Sequence, residues 1–172
     1  MWRSLVALLV WDQAVGGSNP FTRTIQLGET VLQIVNDPSS ELLVYVKDDP
    51  VRPAVPAEFR VVNNKFIGAL VEDKPQAMVC VALHKDVPEA EEDLYITEEG
   101  NVAVFYTIWS YAPGSAAKLI FDVVDYLKDK KPNVNRFITL SPKTEMARKF
   151  HLKNGAIVLR ENETTINYEY VI

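Results

Sequence analysis

Cysteine is almost absent from this chain. Cys80 is the only one in 172 residues, so no disulfide within the chain holds the fold. A reducing compartment, the cytoplasm, is the simple expectation. Histidine is nearly as scarce. His84 and His151 have no companions at metal-ligand spacing, so no metal is expected. Basic runs are missing and the formal net charge is −5, which argues against a nucleic-acid partner. Long apolar runs are missing too. Leu5 to Trp11 is far too short to span a bilayer and is expected to form a short core helix starting at Ser4, rather than a signal peptide. There is no Walker loop, Rossmann fingerprint, zinc motif or nucleophile elbow.

What is present is the composition of a globular domain. Hydrophobic residues make up 48% and charged residues 24%, enough for one core of its own. The proline-rich stretch Asp48 to Pro56 is the best candidate boundary. It separates a helical arm, 1–50, from a core, 51–172. In the arm, Ile25, Val31, Leu32, Ile34 and Val35 suit a helix, and Leu42 to Val46 a short strand. In the core, Phe59–Val62 and Lys65–Val71 are expected to be strands around an Asn63-Asn64 turn. Ala77–Leu83 and Asn101–Ser110 are further strands, with the acidic, exposed stretch Val87–Glu99 between them.

Ala117, Ile120, Phe121, Val124 and Leu127 then recur at helical spacing and predict one buried stripe. Arg136–Leu140 is the next strand. The strand–helix–strand piece from Val102 to Leu140 predicts a right-handed parallel crossover. Ser141-Pro142 predicts the capped start of a second helix ending at Asn154-Gly155. Ile157–Arg160 and Ile166–Ile172 close the chain as a hairpin. The sum is an α/β (α+β) fold with a mixed, mostly antiparallel sheet and helices on both faces, the element order of the acetyltransferase (GNAT) superfamily.

Two places could carry chemistry. The turn from Ile108 and Trp109 through Ser110 to Gly114, Ser115 and Ala116 joins a strand to a helix. Its small residues and the helix N-terminus could receive a pyrophosphate. A plain strand-to-helix turn reads the same way. The second place is Ser141 with His151. A helix running between them would separate them by about 15 Å along its axis, so a direct hydrogen bond is not expected. Ser141 also reads as a cap, and His151 as a core residue. His84 reads as a surface residue and Cys80 as a small core residue.

Five motifs, in order, make the core resemble the catalytic domain of malonyl-CoA decarboxylases. They are Val81-Ala-Leu83 leading to Val87-Pro88, Ala103-Val-Phe-Tyr-Thr-Ile108, Phe137-Ile-Thr-Leu-Ser-Pro142, Phe150-His-Leu-Lys-Asn-Gly-Ala156 and Asn167-Tyr-Glu-Tyr170. The resemblance implies a coenzyme A thioester as ligand, malonyl-CoA or acetyl-CoA. It implies that Ser141 orients the substrate carboxylate and that His151 protonates the carbanion. Backbone amides around Trp109 and Ser110 would hold the thioester oxygen. Thr139, Asn154 and Tyr168 are implied as substrate-binding residues. Cys80 stands where the family has a glutamate, Ala112 where its loop has a glutamine, and Pro113 removes one loop amide.

A broader resemblance is to acetyltransferases, in whose Ala-x-x-Leu-Tyr helix His151 takes the tyrosine's place. N-acetyl transfer is thus a second expectation, with Glu72 or Asp73 as base. The third is a non-catalytic acetyltransferase-like module, such as a phage particle component. Its apolar arm would pack on a protein partner or a second copy, and its location would be a virus particle. A splay between Val102–Ser110 and Arg136–Leu140, with an open slot at Gly114, would favour coenzyme A. A slot filled by Trp109 or Tyr111 would favour a structural role.

Overall fold

The computed structural model describes residues 30–172. The helix expected from Ser4, and Ile25, lie outside the described residues. The strands are β1 (Val31–Val35), β2 (Lys65–Glu72), β3 (Lys74–His84), β4 (Val102–Ser110), β5 (Arg136–Thr139), β6 (Ser141–Pro142), β7 (Ile157–Glu161) and β8 (Thr165–Tyr170). Among the described residues the α-helices are α1 (Ser115–Lys130) and α2 (Glu145–Lys153). One sheet runs β1-β2-β3-β4-β5-β8-β6, with β7 also on β8. Among the described residues only β4 and β5 pair in parallel, across α1, as the crossover predicts.

Several local expectations give way to tertiary contacts. Val31–Val35 is a strand, not a helix: its β-branched residues pair with β2 from Val31↔Val71 to Val35↔Ile67. Glu41–Asp48 is a 3-10 helix instead of a strand, with the Ser40 side chain capping Leu42 N–H. Ala57–Val61 is also a 3-10 helix, which turns Arg60 fully inward. Asn63 and Asn64 both have positive φ, yet they join that helix to β2. The β2–β3 hairpin turns instead at Asp73, φ 65°. The acidic stretch contains a 3-10 helix, Glu91–Tyr95, that buries Leu94.

The core divides by sheet face. One cluster packs the β-sheet against α1, through Leu119, Ile120, Val123, Val124 and Leu127. Contact is close: a Cβ at Gly68 would lie 2.7 Å from Val123 Cγ2. The same face receives Phe150 of α2. The opposite face, with Met78, Cys80, Tyr106 and Trp109, is covered by Val46 and Val61 of the first two 3-10 helices and Leu94 of the third. Cys80 is a buried core residue, as expected. His84 is buried rather than exposed, at the end of β3. Its Nε2 has no hydrogen-bond partner and burial lowers its pKa.

Candidate functional site

The site begins where two strands part. β4 pairs with β5 only from Val102↔Arg136 to Phe105↔Thr139. Leu140 N–H still reaches the Phe105 carbonyl, at 3.1 Å, and then the chain leaves. Ser141 and Pro142 pair with Ile166 and Thr165 of β8 instead. On the other edge of β4, a bulge leaves Tyr106 unpaired between Phe105 and Thr107. A small cleft, with a cavity volume of about 30 Å³, opens at this point. Val79, Phe105, Ile108, Ile120 and Phe150 make it apolar, and Ser141 and His151 are its polar end.

The β6 turn also changes where Ser141 lies. It does not cap α2. Thr144 does, accepting from Ala147 N–H at 3.2 Å. Strand, turn and cap therefore fold Ser141 back over the helix, and its Oγ lies 3.2 Å from His151 Nε2. The expected separation of about 15 Å assumed a helix starting at Ser141. It fails because the helix starts four residues later.

The neighbours of His151 fix its chemistry. Nδ1 lies 2.8 Å from the Tyr170 hydroxyl. Tyr170 is buried and, among the described residues, has no other hydrogen-bond partner, so its hydroxyl donates to Nδ1 or accepts from it according to the ring's tautomer. Burial also pushes the Tyr170 pKa up. At the other end, Ser141 Oγ donates to Thr139 Oγ1 at 2.8 Å, and Thr139 Oγ1 also accepts from Tyr168 N–H at 3.1 Å. In the tautomer in which Tyr170 donates to Nδ1, His151 carries its proton on Nε2, toward Ser141. Burial draws the His151 pKa down to about 3, so the ring is neutral. It is held between Phe150 and Tyr168, whose rings lie 5.2 and 5.0 Å away.

The β4–α1 turn lies beyond the cleft lining, which includes Ile108 but none of residues 109–117. Tyr111 N–H bonds to the Gln76 carbonyl, and alternation along the antiparallel ladder then turns Trp109 N–H toward β3 as well. The Ile108 and Ser110 amides point the other way, to the edge that β5 has left. The Trp109 side chain is fully buried on the opposite face, and its Nε1 donates to Tyr111 Oη at 2.9 Å. Tyr111 in turn donates to Asp48 at 2.5 Å. Neither ring fills the cleft. Gly114 is exposed, with φ 75° that suits glycine, and caps α1. Ser115 spends its N–H on the Ala112 carbonyl and its hydroxyl on those of Gln76 and Ala112. The first-turn amides of Ala116 and Ala117 remain to meet an anion.

Thr139 and Tyr168 thus support the histidine, while Asn154 lies outside the cleft lining. It ends α2, and its Nδ2 donates to the Phe150 carbonyl at 2.7 Å. Three residues escaped sequence reasoning. Tyr170 shares a strand face with Tyr168, so period two alone could not choose between them. Val51 lines the cleft, and Arg52 donates to the Tyr106 carbonyl, from a stretch that reads only as a linker. Glu72 and Asp73 sit on the β2–β3 hairpin, outside the cleft lining. Among the described residues, no His, Cys, Asp and Glu group could hold a metal ion, and no helix is long and apolar enough to cross a membrane.

No protein-family profile and no curated protein sequence matches the chain. Solved structures do. Malonyl-CoA decarboxylase from Agrobacterium vitis is similar with TM-score 0.73 and 18% identity, over 99% of this chain and 68% of that one. The decarboxylase from Cupriavidus metallidurans gives 0.67 and 16%, over 97% and 69%. The chain therefore spans about two thirds of their length. An acetyltransferase from Bacillus subtilis, solved in complex with CoA, gives 0.59 and 8%, over 84% and 99%. These likenesses establish the fold: a mixed, mostly antiparallel sheet of the acetyltransferase type, in the form also found in malonyl-CoA decarboxylases.

Proposed function

We propose that the protein binds an acyl-CoA thioester along the open edge of β4 and decarboxylates a malonyl group there. The observation that carries this reading is the buried chain Ser141–His151–Tyr170 at the polar end of the cleft. A histidine serving as base for a serine or an amine must present a bare nitrogen. In this reading Tyr170 donates to Nδ1, and Nε2, 3.2 Å from Ser141 Oγ, keeps the ring proton. That suits protonation of a carbanion.

The thioester would lie with its pyrophosphate at the α1 N-terminus and its carbonyl oxygen near the Ile108 and Ser110 amides. The bond between the α-carbon and the carboxylate carbon breaks, carbon dioxide leaves, and the electron pair moves into the enolate. The amides stabilise the oxygen as charge develops. The α-carbon takes its proton from the Ser141–His151 end as Tyr170 supplies Nδ1, and the relay recovers a proton from solvent. The apolar lining excludes water and favours release of a charged carboxylate as a neutral gas.

Transfer to an amine is less well supported. It needs a base at the acyl carbon, whereas the cleft lining holds no Asp or Glu and Glu72 and Asp73 lie outside it. The test is calorimetry with CoA, acetyl-CoA and malonyl-CoA, followed by assays for acetyl-CoA and carbon dioxide. Micromolar binding is expected, with malonyl-CoA turnover lost in Ser141→Ala and His151→Ala. Binding without turnover would point to an acyltransferase. No binding at millimolar ligand would overturn both enzyme readings and leave a fold kept for assembly.

A further inference from the structure

The acidic stretch between β3 and β4 also displays apolar groups. From Asp86 to Glu99 it carries seven carboxylates, and no lysine or arginine follows Lys85 until Lys118. Tyr95, at the end of the 3-10 helix Glu91–Tyr95, is 48% exposed, and Ile96, next in the chain, is 80% exposed. Tyr95 stands edge-on to Phe59 of the 3-10 helix Ala57–Val61, with ring centroids 5.8 Å apart, and Phe59 is 44% exposed. The backbone beneath these groups is pinned. Leu94 is buried in the core, and Asp93 accepts from the Glu89 and Ala90 N–H groups. The Thr97 hydroxyl donates to the Asn63 carbonyl. The Thr165 hydroxyl and the Asn167 side-chain amide donate to the carbonyls of Glu89 and Pro88. The exposed rings therefore sit on an ordered platform, and a partner binding there has little left to order.

The charge around the rings is of one sign. Arg52 and Arg60, the bases of the neighbouring segment, are buried, and Arg52 lies against Glu91. Lys85 is paired with Glu98, and Arg160 lies 3.9 Å from Glu89. Among the described residues, Glu58, Glu92 and Glu99 are exposed and have no base within ion-pair distance. We propose that the surface of Phe59, Tyr95 and Ile96 docks a cationic, apolar partner: a protein segment carrying lysine or arginine beside aliphatic or aromatic side chains. The apolar groups supply contact area, and the carboxylates select the sign of the partner. The same charge argues against other occupants. A second copy meeting this surface across a two-fold axis would bring carboxylates against carboxylates. Anionic lipid headgroups and nucleic-acid phosphates are repelled likewise. The inference is independent of the acyl-CoA reading, because none of these residues lines the cleft.

The test titrates the full chain with three short synthetic peptides, of alternating Lys and Leu, Lys and Ser, and Glu and Leu, and follows backbone amides by NMR. The Lys–Leu peptide is expected to shift residues 58–63 and 89–99 and to bind at least about tenfold tighter than the other two. Tyr95→Ser and Ile96→Ser should each weaken it by about tenfold, the scale of truncating a contact at the centre of an interface. Glu58→Lys combined with Glu92→Lys should weaken it as much and reduce its dependence on salt. Ile157→Ser and Glu163→Lys, exposed on β7 and on the β7–β8 turn, are controls and should change nothing. Equal weakening by the controls, equal binding of the Lys–Leu and Glu–Leu peptides, or no shift at residues 89–99 overturns the proposal. A dimer in sedimentation velocity that Ile96→Ser dissolves overturns it in favour of a second copy. Every variant replaces an exposed side chain, and unchanged amide shifts in the core report that it has folded.

Discussion

The two walls of the cleft bury polar groups in opposite ways. On the α2 side, Thr139, Ser141, His151 and Tyr170 form a chain in which every member is neutral. On the side of residues 49–60, Asp49 and Arg60 form a fully buried ion pair at 2.6 Å, tied to Thr107, Arg52 and the Val55 carbonyl. Burying a neutral group costs little once it is hydrogen-bonded, whereas a buried charge must be paired to survive. The first wall can therefore pass protons without rearranging charge. The second is rigid and holds the bulge of β4 in place. Cys80 belongs to the rigid wall. Its Sγ lies 3.5 Å from Arg60, and burial pushes its thiol up to about 11, which keeps it from acting as a nucleophile.

The sharpest way to break this contrast is to unbalance the charged wall. Asp49→Ala leaves Arg60 buried and unpaired, and is expected to cost about 3–5 kcal/mol in urea unfolding. Asp49→Leu combined with Arg60→Met should recover most of that. If Asp49→Ala unfolds like the unaltered protein, the pair is not what holds this wall.

The neutral wall shows itself through pH. His151 has a folded pKa of about 3, below the value near 6.5 of an unfolded chain. Below pH 6.5 the unfolded chain takes up a proton that the folded one refuses. Stability should thus be full above that pH and fall progressively toward pH 3. The lowered pKa of His84 adds in the same direction. Urea midpoints measured from pH 7 to 4 should decline, and His151→Phe should flatten the slope. An unchanged slope would mean that His151 is not neutral.

Two smaller changes sharpen the division of labour within the α2 wall. Tyr170→Phe removes one hydrogen bond, worth about 1 kcal/mol, and frees the His151 tautomer. Turnover should fall by about 10²-fold with CoA affinity kept, read from kcat and KM separately. Asn154→Ala removes only a helix-end bond and should cost under about 1 kcal/mol, with no effect on ligand affinity. A loss of affinity there would return Asn154 to the site.

Legibility in the sequence followed the range of the forces involved. α1 was legible because one helical stripe faces one sheet. The strands β2, β3, β4 and β8 were legible from apolar runs between turn residues. Ala57–Val61 was not, because Arg60 sits among apolar neighbours yet faces inward to a carboxylate eleven residues away. The strand β1 was not, because its five residues satisfy both periods and only pairing with β2 decides.

By itself, then, the sequence determined the order of elements, the parallel crossover, the small-residue turn before α1, and Ser141 and His151 as the residues to watch. These depend on local periodicity, capping and motif, which neighbours in the chain supply. Only the tertiary structure decided that Ser141 and His151 touch, that Tyr170 reaches the other ring nitrogen, and that Val51 lines the cleft. Each of those depends on where β5 leaves β4 and on contacts between residues far apart in sequence. No local propensity encodes the point at which two strands stop pairing.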